Sequence, residues 1–162
     1  PWRELVTQFK FQQQTGWTGF FARQMLARTE VSRALGALGP QDWLLPMPLS
    51  RERLAERGYN QAWELARALH RLAGCRAQLD ARLLLRLREV PPQSALDRQA
   101  RLRNLQGVFL ADPLRSTALA GRQVLLVDDV MTTGSSLAAA AQALLAAGAA
   151  SVTGVVLART PP

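Results

Sequence analysis

The sequence predicts an α/β fold with a mostly parallel central sheet flanked by helices, and three segments carry that prediction. Residues 124–127 and 152–157 are short apolar runs of β-favouring composition, and residues 137–145 between them are rich in the helix formers alanine and leucine. A strand, a helix and a second strand in succession are typical of a right-handed parallel unit. Residues 43–47 form a further apolar run, which we interpret as another buried strand.

Helices are predicted on both sides of the first strand. Residues 5–11 and 17–38 have mostly helical composition, so residues 1–40 are interpreted as a helical N-terminal part. Ser50 is a candidate N-cap for a short helix, and Asn60 is a candidate N-cap for a longer one. The longer helix has a predicted apolar face made of Ala62, Leu65, Ala66, Leu69 and Leu72.

Length and composition favour a single globular domain. The chain has 162 residues, of which 48% are apolar, enough for a buried core and too many for a disordered chain. No apolar stretch free of charges approaches the roughly 20 residues that cross a bilayer, and the N-terminus lacks the features of a secretory signal. The one cysteine, Cys75, excludes an internal disulfide. We therefore expect a cytoplasmic location, a passive thiol at Cys75 and a solvated, non-catalytic side chain at His70.

The chain is strongly basic, and its charge is unevenly distributed. Its formal net charge is +8, and all of its basic residues except Lys10 are arginine. Residues 82–122 contain eight arginines and three acids, whereas residues 123–162 contain one arginine and two acids. One interpretation is a basic collar that attracts a polyanion such as single-stranded DNA. The other is a solvated surface on which arginine replaces lysine.

Residues 124–136 are the most informative stretch for function. An apolar strand runs into Asp128 and Asp129, whose carboxylates can accept hydrogen bonds from the neighbouring hydroxyls of a sugar. A loop follows at the start of the predicted helix, and it contains Thr132, Thr133, Gly134, Ser135 and Ser136. The amides of this loop can converge on an anion at the helix N-terminus, where the helix dipole also favours negative charge. A phosphate cradle beside a diol acceptor describes a site for a ribose 5-phosphate.

This run resembles the phosphoribosyl pyrophosphate (PRPP) signature of the type I phosphoribosyltransferases, in which a hydrophobic strand, two acids and three residues precede Thr-Gly-x-Ser/Thr. The resemblance implies a type I phosphoribosyltransferase-like fold. It implies that Asp128 and Asp129 are the catalytic residues and hold the ribose hydroxyls, and that residues 132–136 hold the 5-phosphate. It also implies Mg²⁺ as the cofactor, carried in mainly by the pyrophosphate of PRPP, with no direct metal ligand from the chain. The alternative is a plain strand–turn–helix with acids at the strand end.

Further segments resemble the ComF/GntX branch of that family. Residues 42–50 match its D-x-x-x-P-V-P-L pattern with methionine in place of valine, and residues 57–62 match R-G-F/Y-N-Q-A. Arg86 and residues 92–94 and 101–109 match later elements, so the resemblance covers nearly the whole chain. Many members begin with a four-cysteine zinc ribbon, and a chain whose one cysteine is Cys75 cannot form that site.

The branch resemblance implies where the pyrophosphate binds. The loop after the first core strand holds it, which assigns that role to Pro48, Leu49, Ser50 and Arg51. Arg53 and Arg57 are candidates for additional phosphate contacts, since a guanidinium offers a fork of donors to phosphate. The alternative is that these two are surface arginines paired with Glu52 or Glu56.

Residues 82–110 are interpreted as a flap or hood segment over the site. Residues 83–87 within it have the composition of a strand. The candidate flap residues that resemble the family pattern are Gln93, Arg101 and Asn104. They either close on substrate or belong to a flap that simply caps the sheet. We therefore predict one phosphoribosyltransferase-like domain over residues 1–162, which includes the helical N-terminal part and the flap.

Two functions are consistent with these patterns. The first is an enzyme that transfers the phosphoribosyl group from PRPP to an unknown acceptor and releases pyrophosphate. The second is a non-catalytic factor in DNA uptake or competence, which binds single-stranded DNA and retains a PRPP site. The second function is implied by the resemblance alone. The acceptor is not visible in the sequence, because no base-reading segment stands out between Arg86 and Gly107.

Overall fold

The computed structural model describes residues 16–89 and 104–160. The predicted helix at 5–11 and the candidate flap residues Gln93 and Arg101 lie outside the described residues. In the part of the chain that the structure describes, no helix is long and apolar enough to cross a membrane.

Four parallel strands form the central sheet. In chain order the strands of the described residues are β1 (Trp43–Pro46), β2 (Gln78–Leu79), β3 (Leu84–Arg86), β4 (Phe109–Ala111), β5 (Gln123–Met131) and β6 (Ser151–Arg159). The parallel sheet has the spatial order β2–β1–β5–β6, and a short 3-10 helix (Ser116–Leu119) precedes β5. The predicted α/β fold with a mostly parallel sheet is therefore confirmed.

Helices cover both faces of this sheet. The helices of the described residues are α1 (Gly16–Leu26), α2 (Thr29–Ala37), α3 (Arg51–Arg57), α4 (Gln61–Leu72) and α5 (Ser135–Ala146). Of these, α1, α2 and α4 pack on one face of the sheet and α5 on the other. The predicted helical segment 17–38 is two helices rather than one, because the chain turns at Ala27 and Arg28. Leu72 is 39% exposed, so the predicted apolar face of α4 is wrong at its last residue, which follows Leu69, the last buried residue of the helix.

Side chains of β1 and β5 alternate between two cores, because successive residues of a strand point to opposite faces. Leu44 and Leu125 pack in one core with side chains of α1, α2 and α4. Leu45 and Leu126 pack in the other core with side chains of α5 and of residues 83–84 and 105–111. The central strands are thus buried on both sides, which holds their carboxyl ends rigidly.

A separate two-stranded sheet lies in the predicted flap segment. β3 and β4 pair antiparallel, with Leu84 opposite Ala111 and Arg86 opposite Phe109. The strand predicted at 83–87 is confirmed, and β4 packs against α5. The small sheet is therefore attached to the α5 face of the main sheet, while the assignment of a flap within one domain stays a prediction.

Asp80 fixes the turn that leads into β3. Its Oδ1 accepts hydrogen bonds from the amides of Arg82 (2.6 Å) and Leu83 (2.8 Å), and its carboxylate pairs with the Arg115 guanidinium. Burial by itself raises the pKa of Asp80, but the contacts with Arg115 and with the two amides outweigh it and lower the pKa below its usual value. The start of the small sheet is therefore anchored by an ionised carboxylate.

Asn60 joins α4 to the loop after β1 through both ends of its side-chain amide. Its oxygen accepts hydrogen bonds from the amides of Ala62 (3.0 Å) and Trp63 (3.4 Å), which confirms the predicted N-cap. Its Nδ2 donates to Met47 O at 3.0 Å, a contact that the sequence does not indicate. The cap therefore also positions the chain where it leaves β1.

Asn60→Ala should lower the free energy of unfolding by about 2 kcal/mol, since a lost N-cap costs about 1 kcal/mol and a carbonyl left without its donor adds about as much. Asn60→Asp keeps the cap acceptor and loses the donor to Met47, so it should cost about half of that. Urea unfolding of the wild type and both variants measures the two losses. Equal losses, or no loss for alanine, would contradict this two-ended role.

Candidate functional site

The carboxyl end of β1 lies beside Val127 in the middle of β5. The register pairs Pro46 with Val127, and the Met47 amide donates to Val127 O at 2.8 Å. The loop that leaves β1 therefore starts next to Asp128, at the edge where ligands bind in open parallel sheets. A cavity of about 170 Å³ opens here between that loop, the start of α4 and the carboxyl end of β5, and we call it the central cavity.

Asp128 and Asp129 lie inside β5 rather than at its end. The sequence predicts a strand at 124–127, whereas β5 continues to Met131 because β6 pairs with it beyond the last pair with β1. Both carboxylates are half-buried and line the central cavity. The Asp129 amide donates to Asp128 Oδ1 at 2.9 Å, and the Val130 amide donates to Asp129 Oδ1 at 2.7 Å. The backbone thus fixes the orientation of both carboxylates beside the cavity.

The loop after β5 presents hydroxyls and backbone amides at the start of α5. Gly134 has φ +76°, a left-handed conformation that a side chain disfavours. Thr133 Oγ1 lies 3.0 Å from Ser135 Oγ, and the Ala138 amide donates to Gly134 O at 2.9 Å. The amides that precede Ala138 in the first turn have no carbonyl acceptor within the helix, as at any helix start. Residues 130–137 line a cavity of about 70 Å³ beside them.

The smaller cavity and the central cavity are two parts of one cleft, because Asp128, Val130 and Ser136 line both. The hydroxyl-rich loop after β5 borders one part, and the loop after β1 borders the other. The Asp128 carboxylate lies where the two parts meet, and Asp129 lines the central cavity. A ligand with an anionic group at each end and hydroxyls in the middle matches this order of chemical groups.

The residues predicted to bind pyrophosphate line two different cavities in the structure. The central cavity is lined by Pro48, Leu49, Arg53 and Arg57. Ser50 and Arg51 line a neighbouring cavity instead. Ser50 is only 2% exposed, and its hydroxyl accepts a hydrogen bond from the Arg53 amide at 3.2 Å as the N-cap of α3. That hydroxyl therefore stabilises the start of α3 as an acceptor.

Glu89 holds two arginines in the cleft, a role that the sequence does not indicate. Its Oε2 lies 3.3 Å from Arg86 Nη2, and its Oε1 lies 3.4 Å from Arg53 Nε. The contact with Arg53 is an ion pair whose geometry is too poor for a hydrogen bond, so the buried Oε1 has no hydrogen-bond partner. Among the described residues, Arg53 pairs with Glu89 and not with Glu52 or Glu56, the partners of the alternative interpretation.

Arg86 is the principal cleft residue that sequence reasoning missed. It reaches the central cavity from β3, and its guanidinium carbon lies 5.6 Å from the centre of the Phe109 ring. Burial lowers the pKa of Arg86, the carboxylates of Glu89 and Asp128 oppose this shift, and Arg53 adds to it. The guanidinium nevertheless stays charged, since arginine is not deprotonated in proteins. The one signal for Arg86 in the sequence was its match to the ComF/GntX pattern, and that match does not indicate what the residue does.

Gln61 and Tyr59 support the other arginine of the central cavity. Arg57 Nη1 donates to Gln61 Oε1 at 3.4 Å, and Gln61 is only 1% exposed. Burial raises the pKa of Tyr59, the Asp129 and Glu64 carboxylates add to the shift, and Gln61 and Arg57 oppose it. The start of α4 therefore holds Arg57 close to Asp128 and Asp129, the two carboxylates of β5.

Asn104 is the candidate flap residue that lies in the described part of the chain. It is half-buried, and its carbonyl oxygen accepts a hydrogen bond from Arg88 Nη2 at 3.2 Å. The same nitrogen donates to Gln106 O at 3.1 Å. The structure thus ties Asn104 to the end of β3, and its action on a substrate stays a prediction.

The cleft offers two carboxylates to a metal ion. Among the described residues, no group of three or more His, Cys, Asp or Glu side chains is placed to hold one. Asp128 and Asp129 are the acidic residues that line the cleft, and carboxylate oxygens are suitable ligands for Mg²⁺. Mg²⁺ commonly binds one or two protein carboxylates and takes its other ligands from phosphates and water, so these residues fit an ion that arrives with a phosphorylated substrate.

His70 and Cys75 lie away from the cleft. His70 Nε2 is 2.8 Å from Ala77 O, so the predicted solvated histidine is wrong: the half-buried ring holds the turn after α4. Cys75 is half-buried, with its Sγ 3.7 Å from Leu35 O. Neither side chain lines the cleft, and a catalytic role for either is not supported by its position.

Comparison with known proteins identifies similar sequences. Residues 64–161 match the family described as phosphoribosyl transferase domain. The DNA utilization protein YhgH of Escherichia coli (strain K12) is 33% identical over an alignment of 173 positions, gaps included, which covers 99% of this chain and 74% of that protein. The competence protein ComFC of Bacillus subtilis (strain 168) is 37% identical over 118 residues, which cover 72% of this chain and 44% of that protein.

Solved structures of similar fold are hypoxanthine phosphoribosyltransferases. The enzyme from Staphylococcus aureus superposes with a TM-score of 0.53 at 11% identity, over 96% of this chain and 72% of that chain. A Trypanosoma cruzi enzyme superposes with a TM-score of 0.52 at 16% identity, over 91% of this chain and 79% of that chain. At such identities these likenesses concern the fold, which is that of the type I phosphoribosyltransferases.

Gly134→Ala should destabilise the protein by about 1–2 kcal/mol, the cost of a side chain in the left-handed region. A Cβ there would also lie 3.2 Å from Met131 Sδ. Low millimolar sulfate, compared with chloride at equal ionic strength, should raise the Tm of the wild type and have little effect on this variant, because the loop no longer presents its amides.

Gly121→Ala is the matched control, since Gly121 has φ +69° with nothing within 4 Å and lies outside the cleft. It should lose similar stability and keep the sulfate response. An equal sulfate response in both variants would contradict an anion site in the loop after β5.

Proposed function

Because this chain belongs to the phosphoribosyl transferase domain family, we propose that it binds PRPP with Mg²⁺ and transfers the phosphoribosyl group to an acceptor. Its ComF-family relatives, among them a competence protein, align with most residues of this chain. The observation that carries the proposal is the cleft in which Asp128 and Asp129 lie between the hydroxyl-rich loop after β5 and the three arginines of the central cavity, Arg53, Arg57 and Arg86. That order of groups corresponds to the 5-phosphate, the ribose hydroxyls and the pyrophosphate of PRPP.

Each part of PRPP has a partner in this arrangement. Residues 132–136 bind the 5-phosphate with backbone amides and hydroxyls at the start of α5. Asp128 and Asp129 accept hydrogen bonds from the ribose hydroxyls, and their backbone-fixed orientation holds the sugar in place. The pyrophosphate lies against the loop after β1, with Arg53 and Arg57 close by.

Charge in the central cavity favours departure of pyrophosphate. During transfer the bond between C1 of the ribose and the pyrophosphate oxygen breaks, and the electron pair leaves with pyrophosphate. A nucleophilic atom of the acceptor forms the new bond to C1 and loses its proton to solvent. Arg53, Arg57 and Arg86 are already held at the cavity by protein contacts, so they stabilise the developing charge without reorganising. Bound Mg²⁺, with Asp128 and Asp129 as available ligands, neutralises phosphate charge.

Mg²⁺-PRPP should stabilise the wild-type protein by mass action, by about 2.7 kcal/mol at a hundredfold excess over Kd. The double variant Asp128→Ala/Asp129→Ala should lose most of that gain, because the acceptors for the ribose hydroxyls are gone. A thermal-shift titration measures both. Glu30→Gln, on α2, removes a carboxylate outside the cleft and should leave the response intact. A full response in the double variant would rule out the ribose role.

A second candidate function is the handling of single-stranded DNA without catalysis. It is favoured by the names of the relatives, which refer to DNA utilization and competence, and by the net charge of +8. Pyrophosphate release across a panel of acceptors separates it from the enzyme. Binding of oligothymidylate with a log–log salt slope of about −0.7 per phosphate contacted, without pyrophosphate release from PRPP, would favour the DNA factor.

A further inference from the structure

Glu89 lies beside the arginines at the proposed pyrophosphate end of the cleft. Its Oε2 is 3.3 Å from Arg86 Nη2, and its Oε1 is 3.4 Å from Arg53 Nε. Both arginines line the central cavity, whereas Glu89 does not. An anion bound in that cavity therefore meets the two guanidinium groups directly and interacts with the Glu89 charge at longer range.

The two contacts of Glu89 are unequal. Arg86 Nη2 donates a hydrogen bond to Oε2, and the Arg86 side chain is only 12% exposed. The Arg53 side chain is 40% exposed, and its contact with Oε1 is an ion pair without a hydrogen bond. Among the described residues, the buried Oε1 has no hydrogen-bond partner. Glu89 therefore positions Arg86 by a hydrogen bond and acts on Arg53 through charge.

Glu89 reduces the positive charge of the two arginines without occupying all of their donors. It contacts each guanidinium through a single nitrogen, while a guanidinium carries five N–H donors in a fork that matches phosphate oxygens. One negative charge is shared between two positive charges. A phosphate group can therefore bind to both arginines, but their attraction is weaker than that of two uncompensated guanidinium groups.

The charge of the leaving group increases during the proposed transfer. When the bond from C1 of the ribose to the pyrophosphate oxygen breaks, the electron pair stays with that oxygen, and the acceptor forms the new bond to C1. Free pyrophosphate thus has one more anionic oxygen than the diphosphate of PRPP. The arginines attract this product more strongly than the substrate, and a nearby carboxylate repels it more strongly. Glu89 therefore opposes retention of the product.

We propose that Glu89 is a positioning residue that sets the affinity of the cleft for pyrophosphate: it holds Arg86 in place and offsets part of the arginine charge, so that pyrophosphate is released after transfer. The proposal rests on the proposed function. It assigns to Glu89 an effect opposite to that of a residue that only supports the arginines, because such a residue would strengthen the binding of pyrophosphate.

Glu89→Gln tests the proposal, since it removes the charge and keeps an oxygen that can accept the hydrogen bond from Arg86. The Glu89 side chain is 29% exposed, so the fold should tolerate the change. Calorimetric titration should show Mg²⁺-pyrophosphate binding about tenfold more tightly to the variant than to the wild type, and Mg²⁺-PRPP about threefold more tightly. Both gains should shrink as the sodium chloride concentration rises, because salt screens charge interactions.

Glu56→Gln is the matched control. It makes the same charge change at an exposed residue of α3 that does not line the central cavity, and it should change neither affinity.

A double-mutant cycle with Arg53 separates an effect of charge from a structural role. Arg53→Gln should weaken Mg²⁺-pyrophosphate several-fold more in the Glu89→Gln background than in the wild type, because Glu89 no longer offsets the Arg53 charge. A purely structural role for Glu89 predicts equal losses in the two backgrounds.

The proposal is overturned if Glu89→Gln leaves the affinity for Mg²⁺-pyrophosphate unchanged or weakens it, or if Glu56→Gln tightens it equally. Equal losses in the Arg53 cycle would also contradict it. Failure of the proposed function is a different observation, since neither the wild type nor the variant would then respond to Mg²⁺-PRPP. Tighter binding of Mg²⁺-pyrophosphate to Glu89→Gln would in that case support the offset of charge and contradict its role in product release.

Discussion

The parallel register between β1 and β5 is the constraint on which the whole cleft depends. Pro46 lies opposite Val127, and the Met47 amide continues the ladder to Val127 O, so the chain leaves β1 beside the point where Asp128 and Asp129 follow in β5. Because leucines on both faces of these strands are buried in two cores, a slip of one residue would exchange the cores and separate the loops. The loop after β1 and the carboxylates of β5 are neighbours for this reason, although they are far apart in the sequence.

Glu89 links the parallel core to the small antiparallel sheet through charge. Arg53 comes from α3 and Arg86 from β3, and both reach the same half-buried carboxylate. Two arginines share this one carboxylate, so one guanidinium charge at the contact stays available to an anionic ligand, while Asp128 and Asp129 lie on the β5 side of the central cavity. Placement of Arg86 thus couples the geometry of the proposed flap to the pyrophosphate end of the cleft.

Local features of the fold and the cleft could be predicted from the sequence, whereas features that join distant segments could not. The turn at Gly134 and the caps at Ser50 and Asn60 follow from residues that are contiguous in the chain. The extension of β5 to Met131 depends on pairing with β6, which a search for an apolar run does not detect because that run ends at Asp128. The roles of Glu89 and Arg86 likewise require contacts across the fold, and charge alone does not indicate the partner of an arginine.

The central claim is that the loop after β1 and the loop after β5 bind opposite ends of one PRPP molecule. Titration of the ¹⁵N-labelled protein with Mg²⁺-PRPP tests it most directly, because backbone amide resonances report each loop separately. The account predicts that the amides of Leu49 and of residues 132–136 shift together, with one midpoint. Shifts confined to one of the two loops, or two clearly different midpoints, would contradict it.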